Sequence, residues 1–229
     1  MIRPRLAPAY VLIAAILCLG CATAAAADNG VGGDMVVTKD MKPWEGCGEC
    51  HDLNGVAPNG HFPSLAGQST AYFLKQMRDF RDGKRTNDHG QMGVSSRETT
   101  GAVLREVAGY FAGLPAPQPQ PVKGLDMVAM ARAQLLFAHG SRSDRIPPCA
   151  DCHGPAPKHD FVAPCLEAQQ RGYLAKQLED FRAGRRANDP ERVMEKIAQR
   201  LSDGDIDALS TYLASRTRPA GDSCARERR

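Results

Sequence analysis

Two copies of one five-residue pattern constrain this 229-residue chain more than anything else in it: Cys47-Gly48-Glu49-Cys50-His51 and Cys149-Ala150-Asp151-Cys152-His153. Each reads C-x-x-C-H. With 8 cysteines and 6 histidines in the chain, chance supplies about 0.007 such matches. The spacing has a chemical reason. Two thiols separated by two residues on one helical turn can both reach the vinyl groups of a single porphyrin, and the adjacent histidine then points at the iron. That imidazole must be unprotonated on its metal-facing nitrogen, and its other nitrogen needs a hydrogen-bond partner. Rival readings fit less well. A thioredoxin-like pair belongs near a βαβ pattern, and no strand pattern is seen. A four-cysteine zinc site spaces its pairs by roughly 15–20 residues, whereas 98 residues separate Cys50 from Cys149. Disulfides would leave the histidine after each pair unexplained.

The repetition runs well past the cysteines. Cys47 and Cys149 are offset by 102. Downstream, Pro63-Ser64-Leu65-Ala66-Gly67-Gln68 matches Pro164-Cys165-Leu166-Glu167-Ala168-Gln169. The stretch from Tyr72 to Gly83 matches Tyr173 to Gly184, and Arg85-Thr86-Asn87-Asp88 matches Arg186-Ala187-Asn188-Asp189. Each unit is small for a domain, so a covalently held macrocycle would supply part of its core. Between the units, Pro115, Pro117, Pro119 and Pro121 alternate, which favours an extended segment without helix. It reads as a strap or as a solvated connector. The resulting expectation is a signal peptide over 1–27, a first haem domain over 28–114, a Pro-rich linker over 115–121 and a second domain over 122–229.

The periodicity is helical. Met127 to Ala138 has Val128, Ala131, Leu135 and Phe137 at apolar positions, with Gly140 as a stop. Tyr72, Leu74, Met77 and Phe80 recur at helical spacing before Gly83, and Tyr173 to Arg182 is the twin. Ser202 with Asp205 three residues on is a capping-box pattern, followed by Ile206, Leu209, Tyr212 and Leu213 as a buried stripe. Val103, Val107, Tyr110 and Phe111 give the first unit the same stripe.

Each iron needs a second axial ligand. Met92 and Met194 lie 41 residues after His51 and His153 respectively. A lone methionine is ordinarily core filler, but two at identical distances from two haem motifs favour ligation, and a thioether ligand raises the potential of an electron carrier. His61, His89, His139 and His159 compete on chemistry, yet none recurs at an equivalent position, so they read as solvent-facing loop residues. Met41, Met77, Met127 and Met130 read as packing residues.

At the N-terminus, Arg3 and Arg5 precede an apolar run from Ala7 to Leu19 and an alanine-rich stretch ending at Ala27. That is the build of a secretory signal peptide, cleaved near Ala27, and it points to the periplasm. An uncleaved anchor is the alternative, and peripheral membrane association stays open with it. The formal charge of +3 falls to +1 without the two arginines. It argues against nucleic acid as a partner.

Taken together, the two C-x-x-C-H motifs, Pro63 to Gln68, Tyr72, Phe80, Asn87-Asp88, Met92 and the ending from Ile197 to Leu209 make the chain similar to the diheme cytochromes c4, within the class I cytochromes c. The resemblance covers roughly residues 44–215. It implies an all-α fold: two tandem cytochrome c-like haem domains related by pseudo-two-fold symmetry, holding two covalently bound haem c groups. The cofactor would be attached at Cys47, Cys50, Cys149 and Cys152, with His51 and Met92 on one iron and His153 and Met194 on the other. Pro63 and Pro164 look like the family proline whose carbonyl accepts from the proximal histidine. There are departures. The helix expected before each haem motif is present from Met127 but reduced to Val36–Trp44 in the first unit, with Pro43 interrupting. Cys165 stands where the first unit has a serine; it pairs with Cys224 as a disulfide, or both are free thiols.

The function this implies is electron carriage between respiratory partners, a quinol-oxidising complex or a dehydrogenase as donor and a terminal oxidase as acceptor, with no catalytic residue of its own. The alternative is a diheme electron-accepting subunit of a flavoprotein dehydrogenase acting on sulfide or an alcohol. A third reading, direct peroxidase or thiosulfate chemistry, would need an iron with an open position.

Overall fold

The computed structural model describes residues 41–121, 126–155, 157–159 and 161–218. The signal peptide, residues 36–40 and Cys224 lie outside the described residues. Nine α-helices and one short 3-10 turn are assigned among the described residues, with no strand.

Four helices make the first half: α1 (Glu45–His51), α2 (Thr70–Arg81), α3 (Gln91–Glu98) and α4 (Gly101–Gly113). Five make the second: α5 (Met127–His139), α6 (Ala150–His153), α7 (Arg171–Arg182), α8 (Val193–Ala198) and α9 (Asp203–Ala214). Helix α1 corresponds to α6, α2 to α7, α3 to α8 and α4 to α9. Caps explain several starts. Ser69 and Thr100 accept from the backbone N–H groups of Tyr72 and Val103. Ser202 and Asp205 form the reciprocal box that the sequence predicts. Gly83 and Gly184 follow α2 and α7 at φ +68° and +70°, a left-handed stop that glycine adopts without a Cβ clash.

Each half has its own core. In the first, Phe73 and Met77 of α2 meet Leu104, Val107, Ala108 and Phe111 of α4. In the second, Leu174 meets Ile206, Leu209, Tyr212 and Leu213 of α9, and α5 adds Ala133, Leu136 and Phe137. The α9 stripe is the one expected. In α4, Val107 and Phe111 are buried, whereas Val103 and Tyr110 are half-buried and Leu104 and Ala108 take their places. Helix α5 turns a different face inward: Val128, Ala131 and Leu135 are exposed, and Met127 is exposed rather than packed. The reason is that Ala133, Leu136 and Phe137 are the residues spaced to face α9, and a short alanine lets the two helices approach. Met77 and Met130 do pack, Met77 in the first core and Met130 against the second.

Where α5 supports the second half, the first half uses a ring. Trp44 stacks on Tyr110 at 4.3 Å between centroids and 8° between planes, and the Tyr110 hydroxyl donates to the Leu53 carbonyl at 2.9 Å. Residues 114–121 belong to no helix or strand. They are not merely solvated: Pro117 is buried, and the Gln120 N–H donates to the Ala214 carbonyl at 2.9 Å. Gly60 of the first half and Gly172 of the second touch backbone to backbone. A Cβ on Gly60 would sit 3.0 Å from the Gly172 Cα, so a side chain there would push the halves apart.

Candidate haem centres

Helix α1 carries Cys47, Cys50 and His51, and α6 with its N-cap carries Cys149, Cys152 and His153. A helical turn places the two sulfurs and the imidazole of each set on one side of the backbone. None of the four cysteines is paired in a disulfide. Burial pushes Cys47 and Cys149 up to about 11. It also raises Cys50 and Cys152, with the carboxylates of Glu49 and Asp151 adding to the effect. Among the described residues no three His, Cys, Asp or Glu side chains gather as a metal cluster, so the two cysteine pairs do not converge.

The imidazoles are oriented as the resemblance implies. His51 Nδ1 lies 2.8 Å from the Pro63 carbonyl oxygen, and His153 Nδ1 lies 3.0 Å from that of Pro164. A carbonyl only accepts, so Nδ1 carries the proton and Nε2 is left as the lone-pair nitrogen. Burial depresses both imidazole pKa values, which keeps the rings neutral and fit for a metal.

Met92 and Met194 each occupy the second position of a helix, α3 and α8. The backbone N–H of each donates to the aspartate that precedes it: Met92 to Asp88 Oδ2 at 2.5 Å and Met194 to Asp189 Oδ2 at 2.7 Å. Met194 lines one cleft with Cys152 and His153. That cleft encloses about 590 Å³, open mouth included, and its apolar walls include Phe161, Val162, Pro164, Phe181 and Val193. In the first half, Met92 and Cys47 pack against the same core with Leu65 and Leu74 between them in sequence.

These features fit a haem. Two thiols, an imidazole with a free Nε2 and a thioether are the donors that a c-type macrocycle takes. The cleft is mainly apolar, as ligand sites are. Within this region Asp189 Oδ1 is buried with no hydrogen-bond partner, a polar atom the protein alone leaves unsatisfied. His61, His89 and His139 are exposed, as is His159, whose ring stacks with Phe161. His139 ends α5 rather than lying in a loop. Cys165 is buried and disulfide-bonded, so it is not a free thiol.

Sequence reasoning missed a polar joint between the centres. Tyr72, Lys75 and Gln76 belong to the first half yet line the cleft of the second. Arg85 donates to Gln76 of its own half at 2.7 Å and to the Tyr173 hydroxyl across the joint at 2.9 Å. Arg186 does the mirror image, to Gln177 at 2.7 Å and to the Tyr72 hydroxyl at 3.0 Å. Each guanidinium also lies 4.5 Å from a phenylalanine ring of its own half, Phe80 or Phe181. The swapped roles express a pseudo-two-fold relation. The signal was in the sequence: Gln76, Asp79 and Arg85 recur as Gln177, Asp180 and Arg186.

No protein-family model matches the chain. Among curated proteins it is 39% identical to cytochrome c4 of Pseudomonas aeruginosa over 177 residues, which is 73% of this chain and 82% of the relative. It is 35% identical over 175 residues to the thiosulfate dehydrogenase electron acceptor of Stutzerimonas stutzeri, covering 74% and 78% of the two chains. Among solved structures it matches reduced recombinant cytochrome c4 from Pseudomonas stutzeri with a TM-score of 0.63 at 33% identity, over 74% of this chain and 92% of that one. An all-helical pair of halves with mirrored haem motifs and identity of this extent leave one assignment: the chain belongs to the cytochrome c4 family, and is an electron-carrying c-type cytochrome with two covalently bound haem c groups rather than an enzyme.

Proposed function

We propose that this cytochrome works in the periplasm, taking electrons from a quinol-oxidising complex and passing them toward a terminal oxidase. In this reading Cys47 and Cys50 bind one haem and Cys149 and Cys152 the other, with His51 and Met92 as the axial pair of the first iron and His153 and Met194 as that of the second. Each bound haem supplies a one-electron iron couple. The chain's own residues do the rest. Pro63 and Pro164 fix the imidazoles, Asp88 and Asp189 fix the first turns that present the methionines, and the apolar walls exclude water. With an imidazole and a thioether both held as its ligands, the iron would keep no position open for a substrate.

The observation that supports this best is the shared cleft of Cys152, His153 and Met194, together with the repeated imidazole–carbonyl geometry. Periplasmic placement rests on Arg3, Arg5 and the apolar run before Ala27, and among the described residues no helix is long and apolar enough to cross a membrane. The same reading takes residues 1–27 as a signal peptide, 28–114 and 122–229 as the haem domains and 115–121 as the strap.

A redox titration with near-infrared spectra tests the ligands. Met92→Ala and Met194→Ala should each lower one midpoint potential, by on the order of a tenth of a volt within the roughly 0.8 V range that axial ligands command, and admit carbon monoxide at that haem. Unchanged titration and no carbon monoxide binding in both variants would overturn the assignment. A second reading, electron acceptor to a dehydrogenase, is favoured by the likeness to the thiosulfate dehydrogenase electron acceptor. Co-purification of a dehydrogenase that reduces this protein with its own substrate would select it.

A further inference from the structure

The segments that present the axial residues are gripped from across the joint. On the methionine side, Lys75 of α2 reaches into the second half, and its ammonium donates to the Asn188 carbonyl at 2.7 Å. Its helical neighbour Asp79, to which it is also paired, accepts from the Asn188 side-chain amide at 2.6 Å. Asn188 is thus clamped at both backbone and side chain, and the next residue is Asp189, which holds the Met194 N–H. The mirror contacts are present. Lys176 donates to the Asn87 carbonyl at 2.8 Å, Asp180 accepts from the Asn87 amide at 2.7 Å, and Asp88 next in the chain holds the Met92 N–H.

The histidine side repeats the arrangement. Gln68 of the first half bonds the Cys165 backbone twice, donating to its carbonyl at 3.2 Å and accepting from its N–H at 3.0 Å. Cys165 directly follows Pro164, the acceptor for His153. Gln169 of the second half does the same to Ser64, at 2.9 and 2.7 Å, and Ser64 directly follows Pro63, the acceptor for His51. Gln68, Gln169, Ser64 and Cys165 are all buried, where a hydrogen bond left unmade is costly.

From this we propose that Lys75 and Gln68 are positioning residues for the haem of the second half, and Lys176 and Gln169 for the haem of the first, so that each half braces the axial ligands of the other. The proposal rests on the ligand reading above. It makes a directional prediction that ordinary packing does not: a substitution in one half should disturb the haem of the opposite half. Neither lysine nor glutamine touches an axial residue of its own half in the contacts above.

Lys75→Met in the full diheme protein is the test. The methionine–iron band in the near infrared and the axial-methionine proton resonances are followed against temperature, and Met92→Ala and Met194→Ala assign each signal to its haem. Loss of one charge-assisted hydrogen bond should raise the methionine-off population at the second haem about tenfold, with the first haem unchanged; Lys176→Met should do the reverse. Lys75→Arg, which keeps a cationic donor, should restore the wild-type signal. Gln68→Ala should shift the midpoint potential of the second haem alone. If Lys75→Met fails to fold, Lys75→Gln and Gln68→Ala carry the test. Disturbance of the first haem, equal disturbance of both, or none at either would overturn the bracing. If the Met92→Ala and Met194→Ala signals do not assign to the two haems, the ligand reading falls instead.

Discussion

The two halves repeat one plan but hold it by different means. The second half has α5 laid on α9, burying Ala133, Leu136 and Phe137. The first half closes the equivalent side with the Trp44–Tyr110 stack. They also differ at their tight turns. Gly67 and Gly90 of the first half adopt φ of +63° and +86°; in the second half Ala168 and Arg192 hold the corresponding places at +55° each, and Glu191 beside Arg192 is also left-handed at +55°. Left-handed backbone costs an L-residue roughly 1–2 kcal/mol where glycine pays none. The comparison teaches that a duplicated unit can keep a left-handed turn while giving up its glycine, as the first half also does without glycine at Asp52 and His89, at φ +60° and +58°. The second half tolerates turns that the first half makes with glycine.

Breaking the chemistry that the halves share should have the largest effect. Replacing both Cys47 and Cys50 by alanine removes both thioether positions proposed for one haem, and the mass of the purified protein should fall by one haem while the second stays attached. Two covalently retained haems in that variant would contradict the attachment residues. The next effect separates the two supports. Leu136→Ala cuts a fully buried side chain from the α5 contact and should cost about 2–5 kcal/mol in guanidinium unfolding. Trp44→Ala removes a half-buried ring, whose stacking is worth only ~0.5–1.5 kcal/mol beyond its area, and should cost less. The reverse order would show that the ring, not the helix, is the stronger brace. The smallest effect is a gain. Glu191→Gly and Ala168→Gly relieve left-handed strain, but glycine also loses about 0.5–1 kcal/mol through the flexibility of the unfolded chain. Each should therefore raise stability by at most about 1.5 kcal/mol, read as a small rise in Tm, and a marked destabilisation would mean that those turns are not strained.

How far the sequence could be read follows from which interactions are local. The C-x-x-C-H turns, the Ser202–Asp205 cap and the left-handed stops after α2 and α7 involve residues within a few positions of one another, and their spacing announces them. The α9 stripe was equally plain, because its apolar residues are flanked by Asp203, Asp205 and Asp207. Helix α5 misled: apolar residues run almost all round it, so periodicity alone selected Val128, Ala131 and Leu135, which face solvent. Gln76 and Asp79 were legible only as part of the repeat. Polar residues beside Met77 and Phe80 look like the edge of an apolar face, yet they are buried because the other half supplies the hydrogen-bond partners.

The sequence by itself determined that two C-x-x-C-H turns exist, that a methionine follows each at a matching distance, and that the chain around them is helical. Those facts depend on short-range spacing, which a linear string records. Only the tertiary structure decided what meets across the joint: Arg85 with Tyr173, Lys75 with Asn188, Gln68 with Cys165 and Gly60 with Gly172. These partners lie roughly a hundred residues apart. Their pairing depends on the relative seating of two folded halves, and no periodicity within either half encodes it.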